Sequence, residues 1–191
     1  MGEADSGGIG ATALRVAVRR AAHQLLDNPP VLDDRLAVRI IGEAQAAKLR
    51  SRIGGKEREW NRSLRAWMAA RGRYAEDRLA EAVGRGVRQY VILGAGLDTF
   101  AYRNPHPGLR VWEVDLAGAQ QAKQRMLHEA GIAIPAAVTF AAVDFESESL
   151  CAVLRRRGFD ASSPAFVSWL GVTPFLTDQA FRRTLAEVET V

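Results

Sequence analysis

The residues most able to do chemistry stand at the ends of three short apolar runs. The first, Val87-Arg88-Gln89-Tyr90-Val91-Ile92-Leu93, stops abruptly at Gly94-Ala95-Gly96. An apolar strand that feeds a glycine turn ahead of a helical pattern typically begins a nucleotide-binding βα unit, because the missing side chains let a ligand approach the backbone N–H groups. The second run, Val111-Trp112-Glu113-Val114, ends on Asp115, twenty-one positions after Gly94 and about where an acid would meet the two hydroxyls of a ribose. The third, residues 137–143, ends on Asp144-Phe145, a carboxylate for the exocyclic amine of adenine and an aromatic edge for its ring. Each feature alone has a plain structural alternative: a tight turn for the glycines, a solvated acid near a helix start for each aspartate. Three ligand-capable strand ends on the same side of one parallel sheet point to an adenosine-like ligand.

Several other chemistries are excluded or disfavoured. The full dinucleotide fingerprint needs glycine at position 99, where this chain has Thr99. A Tyr-x-x-x-Lys pair is absent, since Tyr74, Tyr90 and Tyr102 are followed four places on by Arg78, Gly94 and His106. Lys56 precedes Glu57 and makes no phosphate-binding loop. His23, His106 and His128 lack metal-ligand spacing, and the first and last of them read as surface or boundary residues. Cys151 reads as semi-buried, and Trp60 and Trp67 as packing residues rather than a base-stacking platform.

The elements that must position these groups divide into two sets. Residues 1–10 read as a disordered tail and 11–86 as a helical cap. Leu14, Val18, Ala21, Ala22 and Leu25 share a helical face that Asn28-Pro29-Pro30 ends. A second helix is expected over 31–47, opening near Asp33-Asp34, then a loop over 51–56, a helix over 57–71 interrupted by Gly72, and another from 73 to 83 capped by Gly84. From 87 to 191 the pattern is α/β, with strands over 88–93, 110–114, 137–143 and 165–170. The helices between them span 117–129, one capped by Ser147, and one that starts near Thr177 and buries Phe181, Leu185 and Val188. The expected fold is a Rossmann-like parallel sheet, incomplete at its C-terminal side, preceded by an all-helical segment, in one structural domain overall.

The chain has 191 residues, 48% of them hydrophobic, enough for one sizeable core. It has no apolar run long enough to span a bilayer and no signal-peptide pattern, and its single cysteine excludes an internal disulfide, so a cytoplasmic setting is expected. The net charge of +4 is unevenly placed: eight basic residues between Arg50 and Arg73 face only Glu57 and Glu59. That stripe reads as a solvated helical face. Nucleic-acid binding is the last-ranked reading, because no aromatic recognition motif accompanies the charge.

A longer set of motifs carries a resemblance. Thr12-Ala13-Leu14 with Val16-Ala17, Asp33-Asp34-Arg35-Leu36-Ala37, Arg71-Gly72-Arg73-Tyr74-Ala75-Glu76-Asp77, the run from Gln89 through Leu97-Asp98-Thr99 to Arg103, and Trp112-Glu113-Val114-Asp115 are similar to the leucine carboxyl methyltransferase-like family of class I S-adenosylmethionine-dependent methyltransferases. The resemblance is nearest to an actinobacterial branch of O-methyltransferases related to polyketide-tailoring carboxyl methyltransferases. It implies S-adenosyl-L-methionine as cofactor and a small-molecule methyl acceptor, with a carboxylate or hydroxyl oxygen as nucleophile and no named catalytic base. Carried over by position, it puts Arg73 on the methionine carboxylate, Gly94, Ala95 and Gly96 under the methionine portion, Asp115 on the ribose, and Asp144 and Phe145 at the adenine.

This chain departs from the family pattern at Arg35 and Ala117, where relatives often have proline, and at Leu170, where others place a glutamate. The resemblance also implies further C-terminal strands. Without them a sheet edge and the apolar face of the last helix are expected to lie open, a surface for self-association. The alternative expectation is a non-catalytic remnant or interaction module that keeps only the N-terminal part of the fold.

Overall fold

The computed structural model describes residues 10–55 and 57–191, so the expected N-terminal tail, apart from Gly10, and Lys56 lie outside the described residues. Four strands, β1 (Gln89–Leu93), β2 (Arg110–Asp115), β3 (Val138–Ala142) and β4 (Ala165–Trp169), form one all-parallel sheet in the order β3-β2-β1-β4. Every residue of β1 is buried, which is why its sequence is a continuous apolar run rather than an alternating one. Val91 and Leu93 face one side, with Trp112, Val114 and the Leu150, Val153 and Leu154 stripe of α6 (Leu150–Arg156). Tyr90, Ile92 and Val111 face the other, against Leu79, Phe100 and Leu109.

The helical segment comprises α1 (Ala11–Leu26), α2 (Arg35–Ile40), α3 (Glu43–Arg50) and α4 (Glu59–Gly84). Its core of Ala17, Ala21, Ile40, Ala46 and Leu49 also takes in Leu97 from the loop after β1 and Leu127 of α5 (Ala117–Glu129), so cap and sheet share packing.

The structure corrects the sequence reading in several places. The helix expected over 31–47 is divided at Gly42, whose φ of 78° lies in the left-handed region and turns the chain between α2 and α3. Gly72 does not interrupt α4; a Cβ there would stand 3.1 Å from Leu32 Cδ2, so the bare position serves the packing of buried Leu32 instead. The cap of α4 falls at Gly86 rather than Gly84, with Gly86 N–H donating to Val83 O and Val87 N–H to Ala82 O in a Schellman arrangement. Ser149, not Ser147, caps α6 by accepting from Ala152 N–H. The final helix, α7 (Asp178–Val188), buries Ala180 and Thr184, and Leu185 is exposed. Its apolar side is partly covered, because Phe181 stacks on Trp169 at 5.5 Å and Val188 packs on the cluster around α6, while Leu185 stays in solvent. Both outer edges, of β3 and β4, lack a paired strand among the described residues.

Trp60 and Trp67 are 74% and 57% exposed, not packing residues. His23 is buried rather than at the surface: its Nε2 accepts from Val31 and Leu32 N–H, which leaves the ring proton on Nδ1 for Asp27, 2.7 Å away. Arg65 is likewise buried, forked onto Asp27 and paired with Glu57, so part of the basic stripe is internal and neutralised.

The cap is fixed to the sheet by Asp34, whose carboxylate is fully buried. It caps α2 through Ala37 N–H, accepts from the Thr99 hydroxyl, pairs with Arg20 of α1 at 2.7 Å and receives Arg103 Nε at 3.3 Å. Arg103 in turn holds Glu76 of α4. Removing this carboxylate takes one of two acidic partners from each of Arg20 and Arg103 and leaves the Thr99 hydroxyl and Ala37 N–H without that acceptor, so Asp34→Ala is expected to cost about 3 kcal/mol of stability. Urea unfolding measures it; a variant within about 0.5 kcal/mol of the parent would contradict the role assigned to this network.

Candidate functional site

All four strands are parallel, so their C-terminal ends gather the groups singled out by sequence along one edge. Gly94 and Gly96 adopt φ of 65° and 44°, values that L side chains rarely hold. A Cβ at Gly94 would stand 2.1 Å from Val172 Cγ2, and one at Gly96 would stand 3.3 Å from Ala13 Cβ. The turn is therefore glycine both for its backbone angles and because α1 and the loop after β4 close on it.

Asp115 comes directly to this turn. Its Oδ2 accepts from Gly96 N–H at 2.6 Å and its Oδ1 from Leu116 N–H at 2.8 Å. Backbone donors thus fix the carboxylate, and its half-exposed position leaves lone pairs for hydroxyl donors. Val143 N–H donates to Asp115 O, which continues the β2–β3 pairing and brings Asp144 to the same edge. Asp144 turns its carboxylate onto Glu146 N–H and the Ser147 hydroxyl, and Phe145 is buried in the core beside Trp169, with ring centroids 6.1 Å apart.

Arg73 is not brought to this group. It lies on the exposed side of α4 and pairs with Asp77, one turn on, at 2.8 Å. Arg71 occupies the place instead: its Nη1 lies 2.6 Å from where a Cβ would stand at Gly171, immediately after β4, and its guanidinium covers the Trp67 ring at 4.8 Å. Among the described residues Arg71 has no carboxylate within ion-pair distance. Burial lowers its pKa, and the Arg20 charge lowers it further, against the opposing pull of Asp98. An anion binding there would relieve a cation that is partly desolvated and faces another cation.

The sequence offers Arg71 as one charge in a stripe and as part of the motif shared with the family, with the carboxylate role on Arg73. Helical phase shows that Arg71 and Arg73 flank the buried face of α4, marked by Ala69, Ala75 and Leu79, on opposite sides. It cannot say which flank meets the sheet end. The Asp98 partners were also missed. Arg20 Nη1 donates to Asp98 Oδ2 at 2.6 Å while Phe100 N–H donates to Oδ1 at 2.7 Å. Burial alone would raise the Asp98 pKa, but Arg20, Lys123, the Phe100 N–H and Arg103 outweigh it and hold the group at about 2.

Below the turn, Glu113 of β2 is sealed from water with Lys123 of α5, their charged atoms 2.6 Å apart. Tyr102 donates to the same Glu113 oxygen at 2.9 Å, and Gln120 Nε2 donates to Glu113 O at 2.9 Å. Burial pushes the Glu113 pKa upward, with Lys123 opposing it. This group seats α5 on β2 directly beneath Asp115.

The family model for leucine carboxyl methyltransferase matches residues 13–189. This chain belongs to that family. Among curated proteins, a candidate S-adenosyl-L-methionine-dependent methyltransferase of Mycobacteroides abscessus is 36% identical over 176 residues, covering 90% of this chain and 57% of the relative. The Bacillus subtilis protein YktD, named as a candidate for the same activity, is 32% identical over 188 residues, covering 87% and 62%. A third such candidate, from Saccharopolyspora erythraea, is 33% identical over 184 residues, covering 95% and 63%. The chain thus spans about three-fifths of the length of these relatives. The leucine carboxyl methyltransferase match takes in the glycine turn, Asp115, Asp144 and Arg71 together.

Two outcomes test this geometry. Gly94→Ala is expected to destabilise the protein by about 2 kcal/mol or more, since a Cβ there strains the backbone and strikes Val172; a melting temperature equal to that of the parent would contradict the contact. Asp98 has a folded pKa lowered to about 2 against about 3.9 when free, so its contribution is complete above about pH 4 and is lost as pH falls towards 2. The stability gap between parent and Asp98→Asn, read from urea midpoints, should narrow over that interval.

Proposed function

We propose that this chain binds S-adenosyl-L-methionine along the C-terminal edge of its sheet and serves methyl transfer to a carboxylate or hydroxyl oxygen of a small molecule. The observation that carries the reading is the Asp115 carboxylate held against Gly96 N–H at 2.6 Å, an acid fixed at a glycine turn with acceptor capacity to spare. The donor set fits the cofactor at both of its polar ends. Asp115 accepts the ribose hydroxyls, as a two-oxygen acceptor matches two adjacent donors. Arg71, rather than Arg73, takes the methionine carboxylate, with Arg20 adding positive potential behind it. The backbone of Gly94, Ala95 and Gly96 borders the methionine portion.

Asp144 and Phe145 border the adenine in this reading. The Asp144 carboxylate is already committed to its own turn, so that end contributes shape more than charge. Bound in this cleft, the cofactor supplies an electrophilic methyl group to a nucleophilic oxygen. The protein's share is alignment and exclusion of water, which suffices for an acceptor that is ionised at neutral pH. No side chain at the edge is placed as a general base.

Calorimetry with S-adenosyl-L-methionine tests the reading. Saturable binding is expected, weakened about tenfold or more, equivalent to about 1.4 kcal/mol, by Asp115→Ala and by Arg71→Met. Arg73→Ala should leave affinity within about twofold of the parent. The reverse ranking of the two arginine variants would return the carboxylate to Arg73, and absence of any binding would remove the proposal.

A further inference from the structure

With the ribose on Asp115 and the methionine carboxylate on Arg71, the α-ammonium of the methionine portion is the one charged end of the cofactor's amino acid still to be met. An ammonium carries three N–H donors and a full charge, so a cleft that takes it out of water has to supply acceptor oxygens, best of all a carboxylate. Few carboxylates can answer here. Asp34 and Glu113 are sealed from solvent, and Glu76 is engaged by Arg103. The loop after β4 sets Val172 against Gly94, with Leu170 beside Gly171, and neither side chain accepts a hydrogen bond.

Asp98 remains. It stands two residues beyond Gly96, in a turn where burial alternates: Ala95, Leu97 and Thr99 are buried, while Gly94, Gly96 and Asp98 keep partial exposure. The Asp98 side chain is 24% exposed even though Arg20 Nη1 donates to its Oδ2 and Phe100 N–H to its Oδ1, and each oxygen keeps a lone pair for a further donor. Against the pull of its own burial, Arg20, Lys123 and Arg103 keep the group ionised. Burial and the Arg20 charge oppose the Arg71 cation and Asp98 supports it, so Arg71 and Asp98 are neighbours, yet among the described residues they form no ion pair. A cation and an anion that stand near one glycine turn without joining are the complement of a zwitterion, whose carboxylate and ammonium share one carbon atom.

We propose that Asp98 binds the α-ammonium group of the cofactor, so that Asp98 and Arg71 together hold the methionine portion as a zwitterion. The inference rests on the cofactor reading above and extends it to a residue that decides which nucleoside thioethers are admitted. Arg71 comes from α4 of the cap and Asp98 from the loop after β1, so a ligand that spans them joins cap to sheet and has its amino-acid end fixed from two directions. The contact is charge-assisted on both sides. A thioether without the ammonium leaves the Asp98 carboxylate with a lone pair covered by ligand and unmatched, and a site rejects an analogue most strongly when its own polar group is what goes unpaired.

Calorimetry on the 191-residue protein with S-adenosylhomocysteine, and with its deaminated form in which hydrogen replaces the α-amino group, tests the contact. The parent should bind S-adenosylhomocysteine about tenfold or more tighter than the deaminated form. Asp98→Asn should weaken S-adenosylhomocysteine about tenfold and leave the deaminated form within about twofold of the parent, so that the preference collapses. Arg71→Met should weaken both compounds alike, because both keep the carboxylate; loss of the preference in this variant and not in Asp98→Asn would overturn the assignment. Asp98→Asn also takes a partner from Arg20. A merely structural effect of that loss would lower both affinities by one factor and preserve the preference, which again overturns the proposal. So does a parent that binds the two compounds equally well. If Asp98→Asn shows no cooperative urea transition, Asp98→Glu carries the same comparison. It keeps a charge beside Arg20 but moves the oxygens by one methylene, and should lower the preference about threefold or more, an unchanged preference counting against the contact. Failure of the parent to bind either compound removes the cofactor reading itself, whereas binding of both without preference removes only the ammonium contact.

Discussion

A carboxylate sealed from water must be answered by donors and cations from wherever the fold can bring them, and Asp34 is that carboxylate here. Its partners come from α1, from the first turn of α2 and from the loop after β1, and Arg103 extends the set to α4. Loss of the carboxylate or of either guanidinium disturbs the balance of charge in a low-dielectric interior. The helical cap therefore has one seating on the sheet, and that seating decides where α1 lies against Gly96 and where Arg71 lies against Gly171. Arg20 makes the link explicit, because it holds Asp34 of the cap and Asp98 of the loop after the glycine turn.

The sheet imposes a second constraint of a different kind. Parallel strands buried on both faces have only their ends to offer a ligand, and the C-terminal ends here carry a glycine turn, two aspartates and a further glycine at 171. Beneath them the sealed Glu113–Lys123 pair, with Tyr102, ties α5 to β2. The Lys123 charge also helps hold Asp98 ionised, so the Glu113–Lys123 pair and the loop after the glycine turn are electrostatically joined. The loop after the glycine turn, the cap and the Glu113–Lys123 pair are parts of one charge network rather than separate modules.

Much of the α/β half was legible because its signals are local. The apolar run of β1, the Gly94 turn, the spacing to Asp115 and the amphipathic helix from Ala117 to Glu129 depend on neighbours a few residues away, and the structure has them where the pattern places them. The helical cap was read less well. Gly42 and Gly72 are the same residue type in similar helical settings, yet one turns the chain and the other only admits Leu32. The difference lies in what packs against each, which no window of sequence contains. His23 and Arg65 failed for a related reason: both are polar enough to read as surface, and both are buried because Asp27 and the backbone after α1 complete their hydrogen bonds.

By itself, the sequence determined the fold class, the all-parallel order of events and the identity of the acids and glycines at the strand ends, since periodicity and turn chemistry are short-range properties. Tertiary structure alone decided which arginine of Arg71-Gly72-Arg73 lies against Gly171 at the end of β4. The two residues flank the same buried face of α4, and only the packing of that helix beside β4 separates them.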